Sequence, residues 1–362
     1  MGVKEARANF AERRERIVDE RFAWLADEVK KIKIRSVDRI EELVEIAGNN
    51  FEKNGIEFHF ARDEREAVRV SLEFLEGCES VVKSKSLVSH EIGLPDHLEK
   101  SGISVHETDL GDVILSLVKE SSRHFTMPAI HISAERVLEL FDVSSIDELR
   151  QKVREGVRKK IISADGGITG ANVISSDGSV LIIENEGNVR LVSSFPERHL
   201  VVTGAEKIVG SFEEAVRVAE LTWRSAGYEM PSYLNVIGGL SKSGDVEKRV
   251  ISGLHGPERM AVVVVDNGRI KASRTEFREA LYCLRCGACH FSCPSYAALN
   301  ADWGGVYSGG IGQIWNHITG KTSNPFYCLH CGICSEICPL NINTSEMLLR
   351  IKSMLAEKIR KF

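Results

Sequence analysis

The sequence predicts a largely parallel α/β protein with helices ahead of it and a helix-rich, cysteine-bearing segment behind it. Three observations carry this reading. Apolar residues recur at helical spacing through the first 55 positions, strands and helices alternate from Ile56 onward, and eight of the nine cysteines fall between Cys283 and Cys338. The expected division is therefore a helical region at 1–55, an α/β domain at 56–270 and a cysteine-bearing domain at 271–362.

In the first region Phe10, Ile17, Phe22, Leu25, Val29 and Ile32 recur with Arg, Glu and Asp between them, the stripe of an amphipathic helix. Ser36 reads as the N-cap of a second helix through Ile40, Val44, Ala47 and Phe51, closed by Gly55. The pair reads as a packing arm. Ile56, Phe58 and Phe60 then alternate with polar neighbours as a strand does. Asp63 opens a helix with Glu66 three residues on, the capping-box arrangement. Ser80–Val82 and Ile103–Glu107 read as further strands, and β-α-β alternation of this kind predicts a parallel sheet covered by helices. Asp177-Gly178 between two apolar runs signals a hairpin. Leu200–Thr203 and Ala261–Asp266 suit buried strands, and Thr275–Leu281 a short charged helix leading into the cysteines.

Bulk properties narrow the function. The chain has 362 residues, 43% hydrophobic and 27% charged, with a net charge of −5 and no basic block. Nucleic acid is not the expected partner, because phosphate binding needs clustered Lys and Arg. No apolar run approaches the ~20 residues of a spanning helix, and the N-terminus lacks a signal-peptide pattern. A cytoplasmic protein without direct membrane insertion is expected.

The cysteines form a duplicated motif. Cys283-Leu-Arg-Cys286-Gly-Ala-Cys289-His-Phe-Ser-Cys293-Pro294 aligns with Cys328-Leu-His-Cys331-Gly-Ile-Cys334-Ser-Glu-Ile-Cys338-Pro339, with seven of twelve positions identical at an offset of 45. Both read C-x₂-C-x₂-C-x₃-C-P, the bacterial run for [4Fe–4S] clusters, in which the fourth cysteine ligates the other cluster. Cys283, Cys286, Cys289 and Cys338 are thus expected to hold one cluster. Cys328, Cys331, Cys334 and Cys293 are expected to hold a second. Structural zinc instead favours two cysteine or histidine pairs set apart by a spacer. Gly287 and Gly332 let each loop close, while Trp303, Tyr307 and Trp315 between the motifs read as packing that excludes water.

The region before the cysteines resembles the LUD (lactate utilization) domain. The similarity is carried by Val82-Lys83-Ser84-Lys85-Ser86, Glu107-Thr108-Asp109-Leu110-Gly111, Gly167-Ile168-Thr169-Gly170-Ala171-Asn172 and Asn185-Glu186-Gly187-Asn188-Val189-Arg190. Glu206-Lys207-Ile208-Val209 and Asp266-Asn267-Gly268-Arg269 complete it. The resemblance implies a domain like glucosamine-6-phosphate deaminase, ribose-5-phosphate isomerase and CoA transferase, followed by a helix-rich 2[4Fe–4S] ferredoxin domain. It implies an iron–sulfur electron-transfer subunit in the oxidation of L-lactate to pyruvate. Its implied partners are a cysteine-rich subunit similar to heterodisulfide reductase and a second LUD protein. The chain departs from the family pattern by stopping at Phe362, soon after the second motif.

Two other functions remain open on the residues. One keeps electron transfer but serves a flavoprotein dehydrogenase or a heterodisulfide-reductase-like assembly. The other is a ligand-binding LUD module with structural or redox-sensing clusters. Lys83, Ser84, Lys85 and Ser86 sit between a strand and a helix, where an anion or an acidic partner is favoured, against a reading as solvated loop lysines. Asp165–Gly170 reads as a turn rather than a nucleotide loop. Glu184, Glu186 and Arg190 are candidates for a pocket mouth. His90, His106, His124 and His131 lack metal spacing, and Cys78 reads as a small core residue. No flavin or nicotinamide fingerprint is found, so no catalytic residue is assigned.

Overall fold

The strand richest in buried β-branched residues, Arg259–Val265, lies inside the sheet and explains the rest of it. A computed structural model describes residues 2–120, 122–299 and 303–360, with side chains over 6–357 of these. Its strands are β1 (Glu57–Ala61), β2 (Ser80–Lys83), β3 (Ser104–Glu107), β4 (Gly166–Thr169), β5 (Val173–Ser175), β6 (Ser179–Glu184), β7 (Arg198–Gly204), β8 (Ile208–Val209), β9 (Tyr233–Ile237), β10 (Lys242–Val246), β11 (Arg249–Ser252) and β12 (Arg259–Val265). Six form one sheet in the order β1-β12-β7-β4-β2-β3. Every pairing in it is parallel, with Val262 opposite both Phe58 and Val201. Successive side chains of β7 and β12 alternate between two cores. Leu200, Val202, Ala261, Val263 and Val265 join the helix Glu64–Phe74 on one face. Val201, Val262 and Val264 join the helix Ile40–Lys53 on the other. A strand buried on both faces must be apolar throughout, as this one is.

Because all six strands run the same way, their carboxyl ends share one edge. A second sheet, β8-β5-β6-β9, is built on the antiparallel β5–β6 hairpin, and β10–β11 form a separate ribbon. The Asp63 carboxylate accepts the Glu66 N–H at 2.9 Å, and the Glu66 carboxylate accepts the Arg62 N–H at 2.9 Å.

Several local readings need correction. Ser36 caps nothing: it is buried inside the helix Glu20–Asp38, its hydroxyl donating to the Ile32 carbonyl at 2.9 Å. A mid-helix serine satisfies itself that way when the apolar stripe continues past it. The region before β1 holds three helices, Gly2–Ile17, Glu20–Asp38 and Ile40–Lys53. Thr275–Leu281 is not an α-helix but precedes and enters a 3₁₀ turn at Arg278–Tyr282. The glycines at 166–167 belong to strand β4, not to a turn. A Cβ on Gly167 would stand 1.9 Å from the Val192 carbonyl oxygen, so the helix Asn188–Ser194 packs there only against glycine.

The first helix is a packing arm whose partner is the cysteine segment. Phe10 stacks on Phe291 with ring centroids 4.7 Å apart, and Arg14 donates to the Ile337 carbonyl at 2.8 Å. No helix among the described residues is long and apolar enough to cross a membrane.

Candidate functional site

Each cysteine run folds the same way because its backbone is forced to. Arg285 and Gly287 in the first, and His330 and Gly332 in the second, all have positive φ. Gly287 and Gly332 then start the short helices Ala288–Ser292 and Ile333–Glu336, carrying Cys289 and Cys334 in their first turns. At Gly287 a side chain would also strike the His124 ring, 2.4 Å from an added Cβ.

The two runs enclose two adjoining cavities. One is lined by Cys283, Cys286, Cys289, Cys334 and Cys338. The other is lined by Cys289, Cys293, Cys328, Cys331 and Cys334, so that Cys289 and Cys334 border both. The remaining lining is almost wholly apolar, Ile311 being common to both. Among the described residues no three His, Cys, Asp or Glu side chains converge as a single-ion site. The thiols line the two adjoining cavities, and the duplicated run of four cysteines suits a pair of cubanes better than zinc pairs set apart by a spacer.

The donor set fits the group. Burial pushes the Cys286 thiol up to about 12 and Cys338 up to about 11. Thiolates in such surroundings need a metal's positive charge beside them. Backbone N–H groups already point at sulfur: Tyr296 donates to Cys293 at 3.5 Å and His330 to Cys328 at 3.4 Å. Bonds of this kind tune a cluster's potential.

A buried ionic network fastens the first cysteine loop to the carboxyl edge of the large sheet. Arg269 grips Glu91 with two bonds of 2.9 and 2.7 Å and Glu206 with one of 2.6 Å. Arg285, between Cys283 and Cys286, reaches the other Glu206 oxygen at 3.1 Å. Asn267 and Tyr307 also donate to Glu91. Burial alone would raise the Glu206 carboxyl, but Arg269, Arg285, Lys207 and Lys33 hold it down to about 2. Arg285 lies over the Trp315 ring, 3.9 Å from its centroid. Trp303, Tyr307 and Trp315 are all buried, as packing requires.

At the same edge a cavity of 380 Å³ opens between the sheets and the first cysteine loop. Lys85 and Ser86 line it after β2, Asp109 after β3, Gly170 after β4 and Thr203 near the end of β7; Arg285 and Cys286 close its far side. Ligands of open α/β sheets bind in such crevices. The expected lysine site thus divides. Lys83 is fully buried and bonded twice to Glu107 at 2.9 Å, its cross-strand partner in register. The backbone of Ser84 bonds to Ile168. Lys85 and Ser86 face the cavity, and neither lysine is a solvated loop residue.

The other candidates have plainer tasks. Glu184 and Glu186 do line the cavity. Glu184, however, accepts the Val189 N–H at 2.7 Å and Asn235 at 2.9 Å, which holds a turn together. Arg190 stacks on Tyr233 at 3.9 Å. His124 is buried and bonded to the Gly287 carbonyl, while Cys78 is a buried core residue. Sequence reasoning quoted Glu206 and Arg269 without assigning them work and passed over Glu91 and Arg285. Glu206 and Arg269 stand a few residues beyond apolar strands, a usable signal, whereas Glu91 at a helix end and Arg285 in the cysteine loop offer none.

Comparison with known proteins agrees with this architecture. The LUD domain family matches residues 44–265, and a 4Fe-4S dicluster domain matches 279–342. Lactate utilization protein B of Bacillus subtilis is 35% identical, over 94% of this chain and 72% of its own length. An uncharacterized electron transport protein, YkgF, of Escherichia coli is 32% identical, over 98% of this chain and 77% of its own length. A crystal structure of a DUF162 family protein from Deinococcus radiodurans covers 62% of this chain and 98% of its own. At 18% identity and a TM-score of 0.36 that likeness is slight. The binding of 4Fe–4S clusters follows from the dicluster match and the clustered thiols, and the chain belongs to the LUD-domain family that includes lactate utilization protein B.

Proposed function

We propose that this chain is the electron-transfer subunit of a complex that oxidises L-lactate to pyruvate, and that it holds two [4Fe–4S] clusters. Cys283, Cys286, Cys289 and Cys338 would hold one; Cys328, Cys331, Cys334 and Cys293 would hold the other. Bound clusters supply one-electron acceptance and release. The observation that carries the reading is the placement of the two thiol groups. The first lies inside, with Cys286 on the wall of the 380 Å³ cavity. The second reaches the surface, where Cys331 is exposed beside the exposed Phe326, Tyr327 and Leu329. A subunit that relays electrons needs both an inward and an outward end.

The names of the relatives support lactate as the substrate and electron transport as the role. The partners proposed are a cysteine-rich subunit similar to heterodisulfide reductase and a second LUD protein. A flavoprotein dehydrogenase is the alternative donor, since a hydroxy acid gives up two electrons with a hydride or its equivalent.

Protein purified without oxygen should carry about eight irons and eight acid-labile sulfides per chain. Alone it should leave L-lactate unoxidised, and with both partners present its visible absorbance should bleach on adding L-lactate. Two zincs and no colour would overturn the clusters. Bleaching with a flavoprotein donor but not with the lactate partners would overturn the substrate.

A further inference from the structure

The walls of the cavity at the sheet edge offer hydrogen-bond donors that no protein group accepts. Lys85 Nζ, Thr203 Oγ1, and Arg285 Nε and Nη1 are each buried without a partner. Lys85 feels Asp112, Asp109 and Glu186 through space, yet it forms no hydrogen bond to any of them. Asp112, whose Oδ2 is itself buried without a partner, is not among the cavity's lining residues.

Of the acids that do line it, Glu184 and Glu206 are committed through both oxygens, and Asp109 and Glu186 through one each. Glu206 is shared by two arginines, and Glu184 holds the Val189 N–H and Asn235. Asp109 accepts the Gly111 N–H at 3.2 Å and Glu186 the Leu110 N–H at 3.1 Å. What these four donor atoms lack is an acceptor within reach, and a buried unpaired ammonium or guanidinium N–H is costly until one arrives.

We propose that this cavity binds a small organic carboxylate, with Lys85 on its anionic oxygens, Thr203 offering a further donor, and Arg285 on the wall nearest the first cysteine loop. The apolar part of the wall selects the class of ligand. Phe125, Ile183, Val202 and Trp223 on its sides suit a carbon chain beside the charge better than a fully hydrated inorganic anion, and 380 Å³ admits a short one with room to spare. Short 2-hydroxy and 2-oxo acids have that shape. The inference deepens the lactate reading and rests on it for the choice of acid, while the binding site itself rests on the donors.

The test uses the full chain with its clusters loaded, under argon, with binding measured by calorimetry. L-lactate and pyruvate should each bind saturably at one site per chain. Lys85→Met should weaken that binding at least tenfold with iron content and visible spectrum unchanged. Thr203→Val, a smaller change at the same wall, should weaken it by a lesser factor and serves if the lysine variant does not fold. Acetate should bind more weakly than lactate, because it lacks the second oxygen. Inorganic phosphate binding as tightly as lactate would overturn the organic ligand. No saturable binding by any of the four, or binding indifferent to both substitutions, would overturn the site. A parent chain that contains no iron would fail the cluster reading instead, and the two failures are read from different measurements.

Discussion

Glu206 illustrates how much rests on single side chains whose partners lie far away in sequence. It is fully enclosed, and Arg269 and Arg285 both depend on it. Removing Glu206 strands Arg285 without a carboxylate and leaves Arg269 to Glu91 alone, and breaking a buried pair in this way costs ~3–5 kcal/mol. Glu206→Gln should therefore lower stability by about that amount, measured by denaturant unfolding of the loaded chain. A change below ~1 kcal/mol would place the network with surface pairs instead. The cysteines were legible in the sequence because their spacing is local and their chemistry admits few readings. Glu91 and Arg269 were not, because the sheet brings together residues 178 positions apart. The split between Lys83 and Lys85 was hidden for the same reason: Lys83 is silenced by Glu107 on the neighbouring strand.

Among elements, those with a strong period were legible. The apolar runs became β7 and β12, and the Asp177-Gly178 turn became the β5–β6 hairpin. Glycine-rich β4 was read as a turn, since a strand that must admit a helix at close range gives up the residues that announce a strand. The exposed ribbon β10–β11 carries too few apolar residues to announce itself, whereas β9, Tyr-Leu-Asn-Val-Ile, is apolar but has no alternating pattern to mark it as a strand. The repeated cysteine element makes a sharper prediction. Cys293 ends the helix Ala288–Ser292 yet lines the cavity of the other run, and Cys338 does the reverse. Cys293→Ser should damage the cluster expected on Cys328, Cys331 and Cys334 and spare the one expected on Cys283, Cys286 and Cys289. EPR spectra of the reduced variant test this; loss of the other signal would refute the crossing.

At the scale of the whole molecule, pH enters through the core. His199 on β7 is fully buried, bonded through Nε2 to the Thr169 hydroxyl at 2.9 Å, and burial pushes its imidazole down to about 3. The folded state thus favours the neutral ring. Its contribution is intact above the ordinary value near 6.5 and is lost as pH falls below it, by about 1.4 kcal/mol per unit. His199→Gln should flatten the acid limb of stability relative to the parent between pH 6.5 and 4. Comparing the two proteins removes the acid sensitivity that both share, and parallel limbs would refute the assignment. The clasp between Arg14 and the Ile337 carbonyl, 323 positions apart, bears on manufacture. At roughly 5–20 residues per second of synthesis, the first helix leaves the ribosome about a quarter of a minute to a minute before its partner exists. Phe10 has no Phe291 to cover it during that interval. A protease added to nascent chains should cut the first helix freely until the last cysteine run has emerged and folded, so resistance near the start of the chain reports completion at its far end.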